Sequence, residues 1–465
     1  MANRLFKKTG VYFVGNFSSK VISAIIVPIY AVYVSSADLG EYDYLLTLTQ
    51  IIAPVAYLAI WEAILKFCIN GKAGDVERAI VTVLRFCVPL VLGTTALVVC
   101  ASLALSYPPE NALALGAMVA AYALARIWQY AARGLSRSKD YAWSGIISSF
   151  GFFAGVILLV CAAKTGFAGL SASYILGQLS IVVFLEFRCP LLPRALKGRA
   201  DLPLLKSMLR YSTPCVANLV ALSLLVGFGR IVTVNYLGAD ANGQYAFAMK
   251  FATIVTSVGS IFSMAVIEEG IIRSGSEKLA EFYSTVSNSL LKILCAAISV
   301  LMPCVYLFYI LIASTDYVAA AGLTAGVLLY AALTVMATQF GSVFMATNKT
   351  DSIATTTVFG LVVTAVLTLG LIGLFGLDGV IFGLAGGTAA MTVSRWWLAR
   401  KSLNFVLSVP WTAGLLAAYA AESCVCWLLY ERTSVLGLAV AVCGLAAAYV
   451  PIALKALSTM RRISD

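Results

Sequence analysis

Apolar stretches long enough to cross a bilayer recur along almost the whole chain of 465 residues, separated only by short polar breaks. A membrane-spanning helix needs roughly 20 mainly apolar residues. With 61% hydrophobic residues, 11% charged residues and a mean hydropathy of +0.94, most of the chain cannot be the surface of a water-soluble protein. The pattern predicts an all-α polytopic membrane protein, because a helix satisfies its own backbone hydrogen bonds inside the bilayer.

The hydropathy pattern predicts about fourteen transmembrane helices. Their expected bounds are 10 to 33, 44 to 65, 80 to 105, 112 to 132, 142 to 163, 167 to 187, 211 to 237, 244 to 267, 286 to 312, 318 to 345, 352 to 375, 379 to 398, 409 to 430 and 434 to 456. We expect four parts: an N-terminal six-helix bundle (1–187), a basic amphipathic cytoplasmic linker (188–210), a pseudo-symmetric second six-helix bundle (211–398), and two extra helices with a tail (399–465).

The distribution of basic residues tests this layout, because cytoplasmic loops carry an excess of Lys and Arg. With the amino terminus inside, 24 of the 32 Lys and Arg fall in inner tails and loops, and the outer loops hold only Lys164 and Arg432. The outer loops are acidic instead, with Asp38, Glu41 and Asp43 in the first of them. We therefore predict a multi-pass protein of the bacterial inner membrane with both termini in the cytoplasm.

The linker at 188–210 carries six basic residues and one acid, and its leucines predict a short amphipathic helix on the inner membrane surface. Two roles fit this segment: a tether to anionic membrane lipids, or direct contact with a diphosphate substrate. The net charge of +11 likewise indicates membrane lipids as partners and gives no reason to expect nucleic acid.

The chain has no histidine, which removes the commonest general base and the commonest metal ligand. Its eleven cysteines lie mostly in apolar stretches, and the spacing of Cys424 and Cys426 points them to different faces of a helix. No Walker motif is present either. We therefore expect neither a metal site nor a cofactor, and no enzymatic activity.

A short motif occurs once in each half of the chain. The sequence from Ala37 to Tyr42 follows the first span, and a similar sequence from Ala239 to Tyr245 follows the seventh. We expect both to form the same turn. Related halves of this kind predict parallel repeats, with the substrate path at the repeat interface.

These features resemble a known family. The resemblance rests on the basic start at 4–8, the polar centre of the first span at 16–20, the motif at 39–44, its echo at 243–246 and the segment at 345–349. In these the chain is similar to the polysaccharide flippases, the Wzx-type proteins for O-antigen, capsule or teichuronic polymers in the multidrug/oligosaccharidyl-lipid/polysaccharide (MOP) exporter superfamily. The resemblance implies a central cavity, alternating access, and an oligosaccharide linked to undecaprenyl diphosphate as cargo.

Ionisable residues inside the membrane are the best markers of a site, because inserting one costs about 2.5 to 3.5 kcal/mol. Lys20 lies near the middle of span one, where it either lines a cavity or joins a buried pair. Arg230 and Lys250 lie in the outer thirds of spans seven and eight, where lining and snorkelling both fit. The resemblance implies that such cations hold the diphosphate.

Two further residues complete the predicted substrate site. Asn16 precedes Lys20 by one helical turn and offers an amide to sugars or to a neighbouring helix. Arg126 lies near the inner end of span four, where it either snorkels to the interface or forms an inner gate.

Glu422 is the deepest acid, near the middle of span thirteen. It is either a protonatable ion-coupling site or a neutral carboxyl bonded within the bundle. A lipid II or multidrug exporter, and a membrane polysaccharide polymerase or ligase, are the alternative functions. Drug exporters are expected to have acids in the N-terminal cavity, and a polymerase needs a larger outer loop than any predicted here. We expect a monomer that works beside a polysaccharide polymerase and glycosyltransferases.

Overall fold

The computed structural model describes residues 25–68, 73–273, 275–276, 278–347, 349 and 351–464. The predicted all-α architecture is confirmed, since no strand occurs in these residues. After a helical stretch at 25–33, the α-helices are α1 (Ser36–Ala56), α2 (Ile60–Cys68), α3 (Ala73–Ala104), α4 (Pro109–Gly134), α5 (Ser138–Gly155), α6 (Gly166–Arg188), α7 (Leu192–Lys197), α8 (Leu202–Ile272), α9 (Leu279–Leu311), α10 (Thr324–Ala346), α11 (Asp351–Leu403), α12 (Val409–Glu431) and α13 (Val435–Ser464).

Ten helices in the described part of the chain are long and apolar enough to cross a membrane, or eleven if α1 and α2 form one span bent by 60°. Two of them contain two predicted spans each. Helix α8 breaks at Gly238 (φ 89°) and α11 breaks at Gly376 (φ 57°), backbone conformations that favour glycine. The predicted spans and the observed helices therefore agree closely from span three onward, whereas the helix of span two begins at Ser36, eight residues early, and ends in the bent α2. The protein is a multi-pass membrane protein.

Large apolar side chains on the outer faces of these helices fit a lipid environment. Leu92 on α3 is 79% exposed and Phe187 on α6 is 84% exposed. Such surfaces are disfavoured in water, whereas in a bilayer they face acyl chains.

The motif shared by the two halves does not form the expected turn, and this expectation was wrong. Both copies are helical, and in both the chain bends just before them: at Ser35, which caps α1 by accepting the Asp38 N–H at 3.1 Å, and at Gly238. Acidic and polar residues are favourable in a first helical turn, where they face unpaired N–H groups. Tyr42 and Tyr245 are each the seventh residue after the bend, and both are buried. The two copies thus occupy equivalent places.

The chain divides into two compact units, Met1–Val234 and Asn235–Asp465. The arm of α8 before Gly238 therefore packs mainly with the first unit. In the second unit, α12 and α13 pack on α9, where Cys295, Leu415 and Tyr449 form part of one buried cluster.

All eleven cysteines are free, and Cys426 is buried while Cys424 is exposed, as their spacing predicts. Cys189 follows α6 and is 1% exposed. Burial raises the pKa of the Cys189 thiol, so this group stays protonated at neutral pH.

Candidate functional site

Arg230, a predicted substrate ligand, forms an ion pair inside the first unit. Its Nε lies 2.8 Å from Oδ2 of Asp43 on α1, and the two side chains are 16% and 4% exposed. Its Nη1 also donates to Oγ1 of Thr47, one turn further along α1, at 3.5 Å. The pair is therefore largely desolvated, and the charge of Arg230 is balanced by a carboxylate.

Close packing of two helices holds this pair in place. Ser223 donates to the Gln50 carbonyl at 3.1 Å, and a Cβ at Gly227 would clash with the Thr47 methyl group. Positions 223, 227 and 230 thus share one face of α8 and meet positions 50, 47 and 43 of α1. The glycine lets the backbones approach, as small residues do between membrane helices.

The loop assignment of Asp43 was wrong. Asp43 is the eighth residue of α1 and only 3% of its surface is exposed. The hydropathy pattern misplaced it because three acids in the first two turns of α1 look like a polar loop. The first unit therefore contains a buried carboxylate that sequence reasoning missed.

Arg126 has a different environment. It shares one face of α4 with Tyr122 and Tyr130, since these residues are spaced by four. Its guanidinium carbon lies 4.9 Å from the Tyr122 ring centroid, and it interacts electrostatically with Tyr130 and with Tyr174 on α6. No carboxylate lies within 4.0 Å of it in the described residues. Arg126 is partly buried, and among the described residues it is a cation with aromatic neighbours and no ion pair.

The aromatic surroundings of Arg126 extend to α2. Trp61 packs edge-on against Tyr122, with ring centroids 6.3 Å apart, and the Tyr130 hydroxyl donates to Glu62 Oε1 at 2.7 Å. Trp61 is buried, whereas Glu62, Tyr122 and Tyr130 are partly exposed. We call Arg126, Tyr122, Tyr130, Tyr174 and Glu62 the Arg126 cluster. Cations, phenol rings and a carboxylate are the groups that bind phosphates and sugar hydroxyls.

The other predicted ligands are Lys250, Lys20 and Asn16. Lys250 is partly buried on the arm of α8 after Gly238, in the second unit. Lys20 and Asn16 lie outside the described residues. Their roles as substrate ligands stay predictions.

Glu422 lies in the second unit, between the last two helices. Its Oε1 accepts the hydroxyl of Tyr449 on α13 at 2.6 Å, beside the buried cluster that includes Cys295. No Lys or Arg lies within 4.0 Å of it in the part of the chain described. This is the contact expected of a carboxyl bonded within the bundle, and ion coupling by Glu422 stays a prediction.

A family profile matches residues 5–267, more than half of the chain, and its description is "Polysaccharide biosynthesis protein". The chain belongs to this family. The resemblance to polysaccharide flippases is thereby confirmed at the family level. No curated protein matches the sequence at a significant level.

The fold of this polysaccharide biosynthesis family member is that of MOP-superfamily transporters. The lipid II flippase MurJ, in its inward closed conformation, is 11% identical with a TM-score of 0.67, covering 97% of this chain and 98% of that chain. An inward-facing multidrug resistance MATE transporter of the MOP superfamily is 14% identical with a TM-score of 0.65, covering 85% of this chain and 94% of that chain. At these identities the likeness establishes the fold.

Arg395 is one of the 24 basic residues that the sequence assigns to inner tails and loops. The structure buries it instead, at 7% exposure. It donates to the Thr356 hydroxyl at 3.1 Å, the Ala337 carbonyl at 2.9 Å and the Thr357 hydroxyl at 2.7 Å. These bonds join α10 to both arms of α11. The only sequence signal of this structural role is the pair of threonines in the preceding predicted span. Threonines are common in any membrane helix.

Proposed function

We propose that this family member flips a polyprenyl-diphosphate-linked oligosaccharide across the bacterial inner membrane by alternating access, for the synthesis of a cell-surface polysaccharide. The family and the fold support a transport role in polysaccharide synthesis. The observation that carries the choice of substrate is Arg126, a partly exposed cation inside a span, with aromatic neighbours and no carboxylate within 4.0 Å in the described residues.

The chemistry of the Arg126 cluster fits both ends of such a headgroup. A guanidinium binds phosphate oxygens through two parallel N–H donors, and its charge is strengthened where water is scarce. The Tyr122 and Tyr174 rings offer apolar faces for sugar rings, and the Glu62 carboxylate accepts hydrogen bonds from sugar hydroxyls. In our proposal Arg126 holds the diphosphate while the neighbouring rings and carboxylate contact the first sugars.

In our proposal Arg230 takes part in transport by exchanging its ion-pair partner Asp43 for the diphosphate. Its charge is balanced by Asp43, so in the resting state it does not attract an anion as strongly as Arg126 does. A diphosphate carries more negative charge than one carboxylate and accepts bidentate hydrogen bonds, so it competes with Asp43 for the guanidinium. We propose that Lys20, Lys250 and Asn16 provide further contacts along the path.

A multidrug exporter is the second candidate, because Asp43 is a buried carboxylate of the kind expected for drug-cation binding. Its pairing with Arg230 argues against this role, since the pair presents no net negative charge to a cationic drug. The alignment with the lipid II flippase over 97% of the chain, against 85% for the MATE transporter, also favours a flippase architecture.

The test is complementation in a cell that makes the cognate polysaccharide but lacks its flippase gene. We expect the wild-type chain to restore surface polysaccharide and to clear the accumulated lipid-linked oligosaccharide. Arg126→Gln should lower export at least about tenfold at equal abundance, since one charge-assisted contact contributes about 1.5 to 3 kcal/mol. Lys139→Gln, at an exposed position in the first turn of α5, is the matched control. Drug resistance without restored polysaccharide would contradict the proposal.

A further inference from the structure

A basic cavity lies between the linker and α3 in the first unit. It has a volume of about 460 Å³, within the range of small-molecule sites. Its charged lining residues are Arg78, Arg194, Lys197, Arg199 and Glu77. Four cations against one acid give the cavity a strong preference for an anion.

Specific contacts hold the linker against α3, so the cavity is preformed. At one end of α7, Arg85 donates to the carbonyls of Ala195 at 2.7 Å and Leu196 at 3.0 Å. At its other end, the Glu186 carboxylate accepts the N–H groups of Leu191 at 3.2 Å and Leu192 at 3.0 Å. Both ends of this short helix are therefore capped by side chains of complementary charge.

The segment after α7 is fixed as well. Asp201 donates its N–H to Thr82 at 3.1 Å, accepts the Leu204 N–H at 3.0 Å, and forms an ion pair with Arg78. A Cβ at Gly198 would lie 2.7 Å from a Val81 methyl group, so the backbone sits directly on α3. The remaining cations, Arg194, Lys197 and Arg199, make no ion pair within 4.0 Å in the described residues.

Exposed leucines lie close in sequence to the residues that line the cavity. Leu192 is 38% exposed, Leu196 is 77% exposed, and Leu202 at the start of α8 is 71% exposed. Cations beside exposed leucines are the pattern of a surface that lies in the membrane interface. Exposed leucines in the same segment as the cations favour a ligand that carries both a phosphate and an acyl or prenyl chain over a free phosphate.

We propose that this cavity binds the phosphate headgroup of a lipid, with Arg194, Lys197 and Arg199 on the phosphate and the leucines against the lipid chain. The loop charges predict that the linker is cytoplasmic, so the lipid belongs to the inner leaflet. The site is separate from the Arg126 cluster and does not depend on the proposed function.

The experiment is lipid titration of the full-length protein in a neutral detergent, read by native mass spectrometry, because detergent removes the diffuse field of a bilayer. The probes are phosphatidylglycerol, undecaprenyl phosphate, phosphatidylcholine and inorganic phosphate. We expect one tight adduct with an anionic lipid. Each surface cation contributes about fivefold, so Arg194→Gln/Lys197→Gln/Arg199→Gln should weaken this adduct about a hundredfold.

The charge-matched control is Lys139→Gln/Lys206→Gln/Arg210→Gln, which removes three exposed cations outside the cavity. It should bind like the wild type. Equal loss in the two triple variants would overturn the proposal, because it would show unspecific attraction.

A second variant separates the lipid from free phosphate. Leu196→Ser changes an exposed side chain and should weaken both anionic lipids while leaving inorganic phosphate unaffected. Whichever of phosphatidylglycerol and undecaprenyl phosphate binds more tightly identifies the source of the headgroup. Displacement of the lipid by inorganic phosphate at equal concentration would overturn the assignment to a lipid.

Discussion

Each unit of the protein places an arginine among membrane helices, but the surroundings of the two arginines differ. In the first unit, Arg126 is partly exposed among tyrosines. In the second, Arg395 is 7% exposed and its three donated hydrogen bonds go to neutral oxygens. Both residues carry the cost of a charge in the membrane. Access to the residue, together with what surrounds it, separates a binding role from a structural one.

Arg230 is an intermediate case. It is partly exposed like Arg126 and lies in the same unit, but it has a carboxylate partner, Asp43. A buried pair is costly to break, because the charge left behind has no partner. We therefore expect substitution of Arg395 to act on stability, substitution of Arg126 to act on transport, and substitution of Asp43 or Arg230 to act on both.

The largest expected effect follows from Asp43→Asn, which removes the buried carboxylate that pairs with the Arg230 guanidinium. We expect a loss of about 3 kcal/mol in unfolding free energy. The double variant Asp43→Asn/Arg230→Gln should recover most of this loss, since it removes both charges. Denaturant unfolding of the purified protein measures both values, and a double variant as unstable as the single one would show that the pair does not carry the effect.

A smaller effect is expected at Arg395, where Lys keeps the charge but cannot reach three acceptors at once. Arg395→Lys should lose about 2 kcal/mol, because hydrogen bonds from charged groups contribute about 1.5 to 3 kcal/mol. Arg395→Met should be the milder change, since it leaves no buried charge. The same unfolding measurement decides the order, and a Met variant less stable than the Lys variant would contradict it.

The smallest effect is expected at Glu422. Gln can accept the Tyr449 hydroxyl as the carboxylate does, so Glu422→Gln should change stability by less than about 0.5 kcal/mol. The effect of an imposed proton gradient on transport should be the same in Glu422→Gln as in the wild type. Loss of that dependence in Glu422→Gln would instead establish the ion-coupling role.

Hydropathy and loop charge were sufficient to predict the spans, because both follow from local sequence. The two glycine breaks were also visible, since Gly238 and Gly376 fall between predicted spans. The pairing of Asp43 with Arg230 was not predictable. The two residues lie 187 positions apart, and nothing local distinguishes Asp43 from the neighbouring acids of α1.

Arg126 was recognised as a candidate, but its environment was not. Three tyrosines from two helices surround it, and a pattern along one helix reveals only Tyr122 and Tyr130. The contribution of Tyr174 depends on how α4 packs on α6. Tertiary packing therefore determines which charged residues form ion pairs among the described residues and which stay partly exposed.

The proposed role of Arg126 in flipping is tested most directly with a fluorescent polyprenyl-diphosphate-linked oligosaccharide in proteoliposomes. A membrane-impermeant quencher reports the lipid in the outer leaflet over time. We predict that the wild type exposes the protected pool, that Arg126→Gln slows exposure at least about tenfold, corresponding to 1.4 kcal/mol, and that Arg395→Met flips at the wild-type rate. Exposure no faster than in protein-free liposomes, or equal slowing by both substitutions, would contradict the account.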